Sequence, residues 1–252
     1  MTHFIEVGRN LPTRSIAVDI LEGQGKPVVW LCGFLSEMAS VKGKAMLQWA
    51  KDNGRPLIRF DYSGHGQTGG DYTEFTVSHW LEEALAVIGK YARQPPVLVG
   101  SSMGGWIATL TTLALRREKP HLSPSGLVLI APAIDFTERL VWGRMPEKVQ
   151  QHLMATGSFD VPSEYSDTPY RFTRQFIEDG RSHLLLGQTV ETGCPVHILQ
   201  GMNDNDVPWQ HAMAFARCLA QDKSVITLIP DGDHRLSRDE DITAIIRAVS
   251  SL

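Results

Sequence analysis

The sequence predicts an α/β protein built on a mostly parallel sheet with helices on both faces. Short continuous apolar runs recur along the chain, helix-period stretches separate them, and glycine or proline punctuates the joins. Strands alternating with helices in this way form βαβ units, whose parallel sheet is buried on both sides. The 252 residues carry a formal net charge of −4, with 42% hydrophobic and 21% charged residues. That balance fits a globular chain and excludes collagen-like or coiled-coil architectures. A chain of this size buries enough surface to fold without a disulfide or metal staple.

The elements follow in order. His3 to Val7 and Arg14 to Ile20 alternate apolar and polar residues around Gly8, Asn10 and Pro12, which predicts a hairpin. Pro27 to Leu31, Leu57 to Phe60, Val97 to Val99, Leu127 to Ile130, Val196 to Leu199 and Val225 to Ile229 are apolar runs of buried-strand length. Helical spacing fills Ala45 to Asp52, Val77 to Tyr91, Met103 to Arg117, His211 to Ala220 and Ile242 to Val249.

The alternation breaks over residues 133–189. Loops beyond about 15 residues without structure are uncommon in a compact domain. This one contains Phe136, Trp142, Phe159, Tyr165, Tyr170, Phe172 and Phe176. Helix-like spacing in Glu138 to Leu153 and Pro169 to Leu186 predicts a helical cap inserted at 133–189, between two parts of one core at 1–132 and 190–252.

The strongest chemical signal is Val97-Leu98-Val99-Gly100-Ser101-Ser102-Met103-Gly104-Gly105. It places G-x-S-x-G between a predicted strand and a predicted helix, the context a nucleophile elbow requires. Such a turn is too tight for bulk two residues either side of the serine. Ser102 has glycine at both positions; Ser101 would face Val99 and Met103. Ser102 is therefore the candidate nucleophile. The helix that follows has unpaired N–H groups at its start, so the Met103 N–H is a candidate oxyanion donor.

A serine hydroxyl needs a base. Of nine histidines, His234 lies just after the last predicted strand and ahead of the closing helix. The acid candidates are Asp204 and Asp206, after the strand Val196 to Leu199, with Asp135 after the preceding strand as a further alternative. Asp231 and Asp233 stand too close to His234 and are expected to shape its loop. Cys32, next to Gly33, reads as a small buried hydrophobe rather than a nucleophile.

Other patterns carry less. Gly64 to Gly69 matches G-x-G-x-x-G, but a turn-like Gly70-Asp71-Tyr72-Thr73 follows where a dinucleotide site needs a helix. Asn203 to Asp206 fails as a calcium loop, because Pro208 occupies a ligand position. No metal-ligand spacing occurs, so neither metal nor cofactor is expected. The negative balance argues against nucleic acid, and the apolar runs are too short for stable membrane insertion. Three cysteines without pairing, and no charged start followed by an apolar stretch at Met1, lead to the expectation of a cytoplasmic protein.

Taken together, Arg59-Phe60-Asp61-Tyr62-Ser63-Gly64, Gly100-Ser101-Ser102 with Gly104-Gly105-Trp106, Gly201-Met202 with Asp204, Asp206-Val207-Pro208-Trp209 and Asp233-His234-Arg235 resemble the α/β-hydrolase superfamily over nearly the whole chain. The resemblance implies the α/β-hydrolase fold and the triad Ser102, Asp204, His234. Its usual Gly-x-x-Asp-x-x-Val-Pro spacing selects Asp204 over Asp206. It also implies a second oxyanion donor, the Phe34 N–H, in the loop after the third strand. Gln200 and Cys32 stand where relatives often have histidine. The implied activity is hydrolysis of a small-molecule ester or acyl thioester, with an S-acylated protein as a further substrate. Haloperoxidase or carbon–carbon hydrolase chemistry on the same triad is the alternative within enzymes. A non-catalytic scaffold for an acyl ligand is the alternative outside them.

Overall fold

The computed structural model describes residues 2–162, 169–219 and 223–252. The chain opens with the expected hairpin, β1 (His3–Val7) and β2 (Arg14–Leu21), paired antiparallel. Next come β3 (Val28–Leu31), α1 (Val41–Asp52), β4 (Leu57–Phe60) and α2 (Val77–Tyr91). They are followed by β5 (Val97–Ser101), α3 (Met103–Glu118) and β6 (Gly126–Ile130). Every residue of β3, β4, β5 and β6 is buried, as continuous apolar runs require.

The segment 133–189 is mixed rather than helical. A π-helical turn (Phe136–Val141) and a 3-10 turn (Trp142–Arg144) precede α4 (Glu147–Thr156). The single helix expected from Glu138 to Leu153 breaks at Met145, which is extended (ψ 134°) because Pro146 follows it. Gly157, at φ +93°, ends α4. An antiparallel pair follows, β7 (Ser158–Val161) with β8 (Tyr170–Thr173), and then α5 (Arg174–Gly180). The helix expected from Pro169 is therefore a strand at its start. Tyr170 and Phe172 alternate with Arg171 and Thr173, a period of two. The Thr173 side chain caps α5 by accepting from the Phe176 N–H at 3.1 Å. Tyr165 lies outside the described residues.

The core resumes with β9 (Val196–Gly201), α6 (Trp209–Cys218), β10 (Ser224–Ile229) and α7 (Asp239–Ser250). The large sheet runs β1-β2-β4-β3-β5-β6-β9-β10, parallel from β4 to β10. After β3 the chain pairs outward with β4, then returns to lay β5 on the other side of β3. That reversal opens a crevice at the carboxyl ends of β3 and β5, the place where open α/β sheets bind ligands.

Close packing at this point depends on missing side chains. A Cβ on Gly100 would lie 2.3 Å from the Gly104 carbonyl oxygen, and one on Gly104 would lie 2.2 Å from that of Leu31. Glycine there lets α3 press directly on β3 and β5.

Candidate active site

Ser102 sits between β5 and α3 at φ +54°, ψ −119°, a strained conformation for a residue with a Cβ. Backbone bonds hold it there. Its N–H donates to the Ile130 carbonyl at 2.8 Å, and its own carbonyl accepts from Gly105 at 2.9 Å and Ala133 at 3.1 Å. The hydroxyl projects into a cavity of about 790 Å³ at the sheet's carboxyl edge.

His234 lies in the loop after β10, with Nε2 3.1 Å from Ser102 Oγ and Nδ1 2.8 Å from Asp204 Oδ2. A carboxylate only accepts, so Nδ1 carries the proton and Nε2 is left to accept from the Ser102 hydroxyl. Asp204, in the loop after β9, is 5% exposed. Its Oδ1 accepts from the Asp206 N–H at 2.9 Å and the Val207 N–H at 2.8 Å. Its Oδ2 accepts from His234 and from the Gln200 side chain at 3.0 Å.

Asp204, Asp206 and His234 come close enough to suggest a metal triad. Four N–H donors already engage the Asp204 carboxylate, however, so its lone pairs are committed to holding an imidazole rather than a cation.

The two loops that carry His234 and Asp204 are stitched together. Asn203 N–H donates to the Gly232 carbonyl, and Met202 N–H to that of Ile229, each at 2.9 Å. A Cβ on Gly201 would fall 2.4 Å from the Gly232 oxygen, so glycine permits the approach. Asp233 accepts from the Leu236 N–H at 2.9 Å and Asp231 pairs with Arg238, both bracing this loop.

The loop after β3 packs beside the serine: a Cβ on Gly33 would lie 3.4 Å from Ser102 Cβ. Phe34 and Leu35 follow in a turn closed by the Ser36 N–H to the Gly33 carbonyl at 3.1 Å. Met103 follows Ser102 directly and opens α3.

Asp135 takes no part in this group. Its two carboxylate oxygens accept from the backbone N–H groups of Leu185 (2.7 Å) and Leu186 (2.9 Å). Burial raises its pKa, and those two amides pull it back. Cys32 is fully buried; desolvation, then the nearby Asp61 charge, holds its thiol far above the usual range and so unreactive. His65 is buried in the glycine turn with Nδ1 bonded to the Ser63 carbonyl, and burial pushes its pKa down to about 4.

Near the site, Lys42 escaped sequence reasoning, and Gln200 stood out only as a departure from the family's pattern. Gln200 is fully buried and donates to the Asp204 carboxylate at 3.0 Å. Lys42 lines the cavity and donates from Nζ to the Arg235 carbonyl, one residue from His234. Burial lowers its pKa to about 8. Lys42 belongs to no motif, and only the fold brings α1 against the His234 loop.

The alpha/beta hydrolase family model matches residues 28–248. The chain belongs to this family. Among curated proteins it is 34% identical to the mitochondrial palmitoyl-protein thioesterase ABHD10 of mouse over 240 residues, which cover 94% of this chain and 78% of the relative. The human protein of that name is 33% identical, over 94% of this chain and 76% of its own.

Among solved structures, a putative hydrolase from Agrobacterium vitis S4 superposes with a TM-score of 0.95 at 44% identity, covering 100% of this chain and 98% of that one. Alpha/beta hydrolase domain-containing protein 10 from mouse gives 0.86 at 29% identity, covering 99% and 97%. The expected fold, and the expected class of an α/β-hydrolase enzyme of the esterase and thioesterase kind, are borne out. The expected cytoplasmic address is corrected, because the curated relatives are described as mitochondrial. Among the described residues no helix is long and apolar enough to cross a membrane.

Proposed function

We propose that this chain hydrolyses a carboxylic ester or acyl thioester through an acyl-enzyme on Ser102. The observation that supports it most is the continuous hydrogen-bond path from Asp204 through His234 to Ser102, at 2.8 and 3.1 Å, on a serine held at left-handed φ. His234 Nε2 takes the hydroxyl proton as Ser102 Oγ attacks the acyl carbon. The Met103 and Phe34 N–H groups hold the oxyanion. Collapse expels the alcohol or thiol, which takes its proton from His234. Water then repeats the sequence and frees the acid. Asp204 holds the imidazole tautomer and balances the imidazolium without taking a proton itself.

Residues 133–189 act as the cap in this reading. Phe136, Leu140, Val141, Val149, Phe159 and Phe172 line the cavity, an apolar wall suited to an acyl chain. Acyl substrates, S-acylated protein among them, follow from the thioesterase relatives. Ser102→Ala is expected to abolish both p-nitrophenyl ester turnover and labelling by a fluorophosphonate. Full turnover in that variant would sink the assignment, and labelling of the wild type rules against a non-catalytic scaffold.

A further inference from the structure

The Phe34 ring is locked between core and cap. On the core side its centroid lies 5.6 Å from Tyr72 and 6.1 Å from Trp80. On the cap side it meets Phe136 at 5.4 Å, Phe176 at 5.9 Å and Phe172 at 6.0 Å. Phe176 and Phe172 lie nearly parallel to it, at 14° and 20°. Phe176 also packs edge-on against Trp80 at 5.7 Å, closing a triangle of one loop ring, one core ring and one cap ring. Phe176 is 4% exposed and stands outside the wall of the cavity that holds Ser102.

The backbone of this turn needs such an anchor. Leu35 sits at φ +52° without being glycine, so the turn is held in a strained form by its surroundings. The ring of Phe34 and its N–H share one Cα. Fixing the ring therefore limits how far the Cα, and the N–H beside it, can shift. Oxyanion stabilisation is steep in geometry, since displacement by an ångström can cost on the order of a hundredfold in rate.

We propose that Phe176 is a positioning residue that acts through Phe34. By clamping the Phe34 ring against Trp80, the cap holds the second oxyanion donor on Ser102. Cap packing then sets the rate of acyl transfer as well as the fit of the acyl chain. The inference rests on the proposed role of the Phe34 N–H.

The test compares Phe176→Leu, Phe34→Leu and the double variant, using p-nitrophenyl acetate. Its acetyl group is too short to need the apolar cap wall. Active sites are counted by end-point fluorophosphonate labelling, so that misfolded protein does not register as slow enzyme. Each single variant is expected to lose at least about tenfold in kcat per labelled site, with KM within about twofold. The double variant should be no slower than the worse single, because both break one clamp. Phe176→Tyr, which keeps the ring, should restore most of the rate.

Wild-type kcat in Phe176→Leu, or losses that simply multiply in the double variant, would overturn the coupling while leaving Ser102 chemistry intact. Turnover retained in Ser102→Ala would overturn the hydrolytic mechanism itself, and the coupling with it.

Discussion

Ser102 shares its left-handed φ with four other non-glycine residues among those described: Leu35, Ala131, Asp135 and Leu236. Each follows the carboxyl end of a strand bordering the cavity, or the His234 loop beside it. Strain of this kind persists where surrounding contacts over-determine it, and it collects at functional sites. The Asp204 carboxylate is fixed as firmly. Asp204→Asn would present an amide where four N–H groups converge and would favour the wrong imidazole tautomer. A fall in kcat of roughly 10³–10⁴ is expected, measured against an unchanged fold by circular dichroism. Gln200→Leu removes one of those donors without touching substrate. It should lower kcat by about tenfold and stability by about 1 kcal/mol, the latter read from urea unfolding. Ser102 could be picked out from its own sequence neighbours. Gln200 could not, because its bonds to Gly201, Asp204 and Val207 depend on how the loop after β9 curls back on the strand end.

Asp135 clasps the two ends of the segment 133–189 together. It sits where the chain leaves the core, and its carboxylate accepts from Leu185 and Leu186 where the chain returns. His211 on α6 reinforces the exit by donating from Nε2 to the Ile134 carbonyl at 2.8 Å. Asp135→Ala would leave one buried and one half-buried backbone N–H unpaired and remove a side chain suited to left-handed φ. A loss of about 3 kcal/mol in urea unfolding is expected, with the remaining folded enzyme still labelled by fluorophosphonate. The core helices and strands were legible because long periodic segments specify themselves. The segment 133–189 was less so. Its first expected helix is interrupted ahead of Pro146 and becomes α-helical only beyond it, and β7–β8 is a four-residue ladder whose pairing depends on the tertiary wall behind it.

Across the whole molecule, buried titratable groups tie stability to pH. His65 is 2% exposed, and its pKa falls from 6.5 to about 4 through burial. The unfolded chain therefore binds the proton first as pH drops. The neutral ring's contribution is fully present above 6.5 and is lost as pH falls toward 4. Between about pH 7 and about pH 5 this one group should remove about 2 kcal/mol. His65→Asn is expected to flatten the urea-unfolding difference between those two conditions by that amount. An unaltered pH dependence in the variant would show that His65 is solvated in the folded state.

By itself the sequence determined the alternating core, and it nominated Ser102 in an elbow and His234 as its base. These depend on local rules: apolar period, glycine at a tight turn, and position after the last strand. Asp204 needed the family's spacing to stand apart from Asp206. Only the tertiary structure decided the rest. It spent the Asp135 carboxylate on the backbone at Leu185 and Leu186, turned the start of an expected helix into a strand, and brought Lys42 and the Phe34 ring to the site. Those outcomes depend on contacts between segments far apart in the chain. The energy of such contacts comes from burial and from shared hydrogen bonds, which no stretch of sequence contains alone.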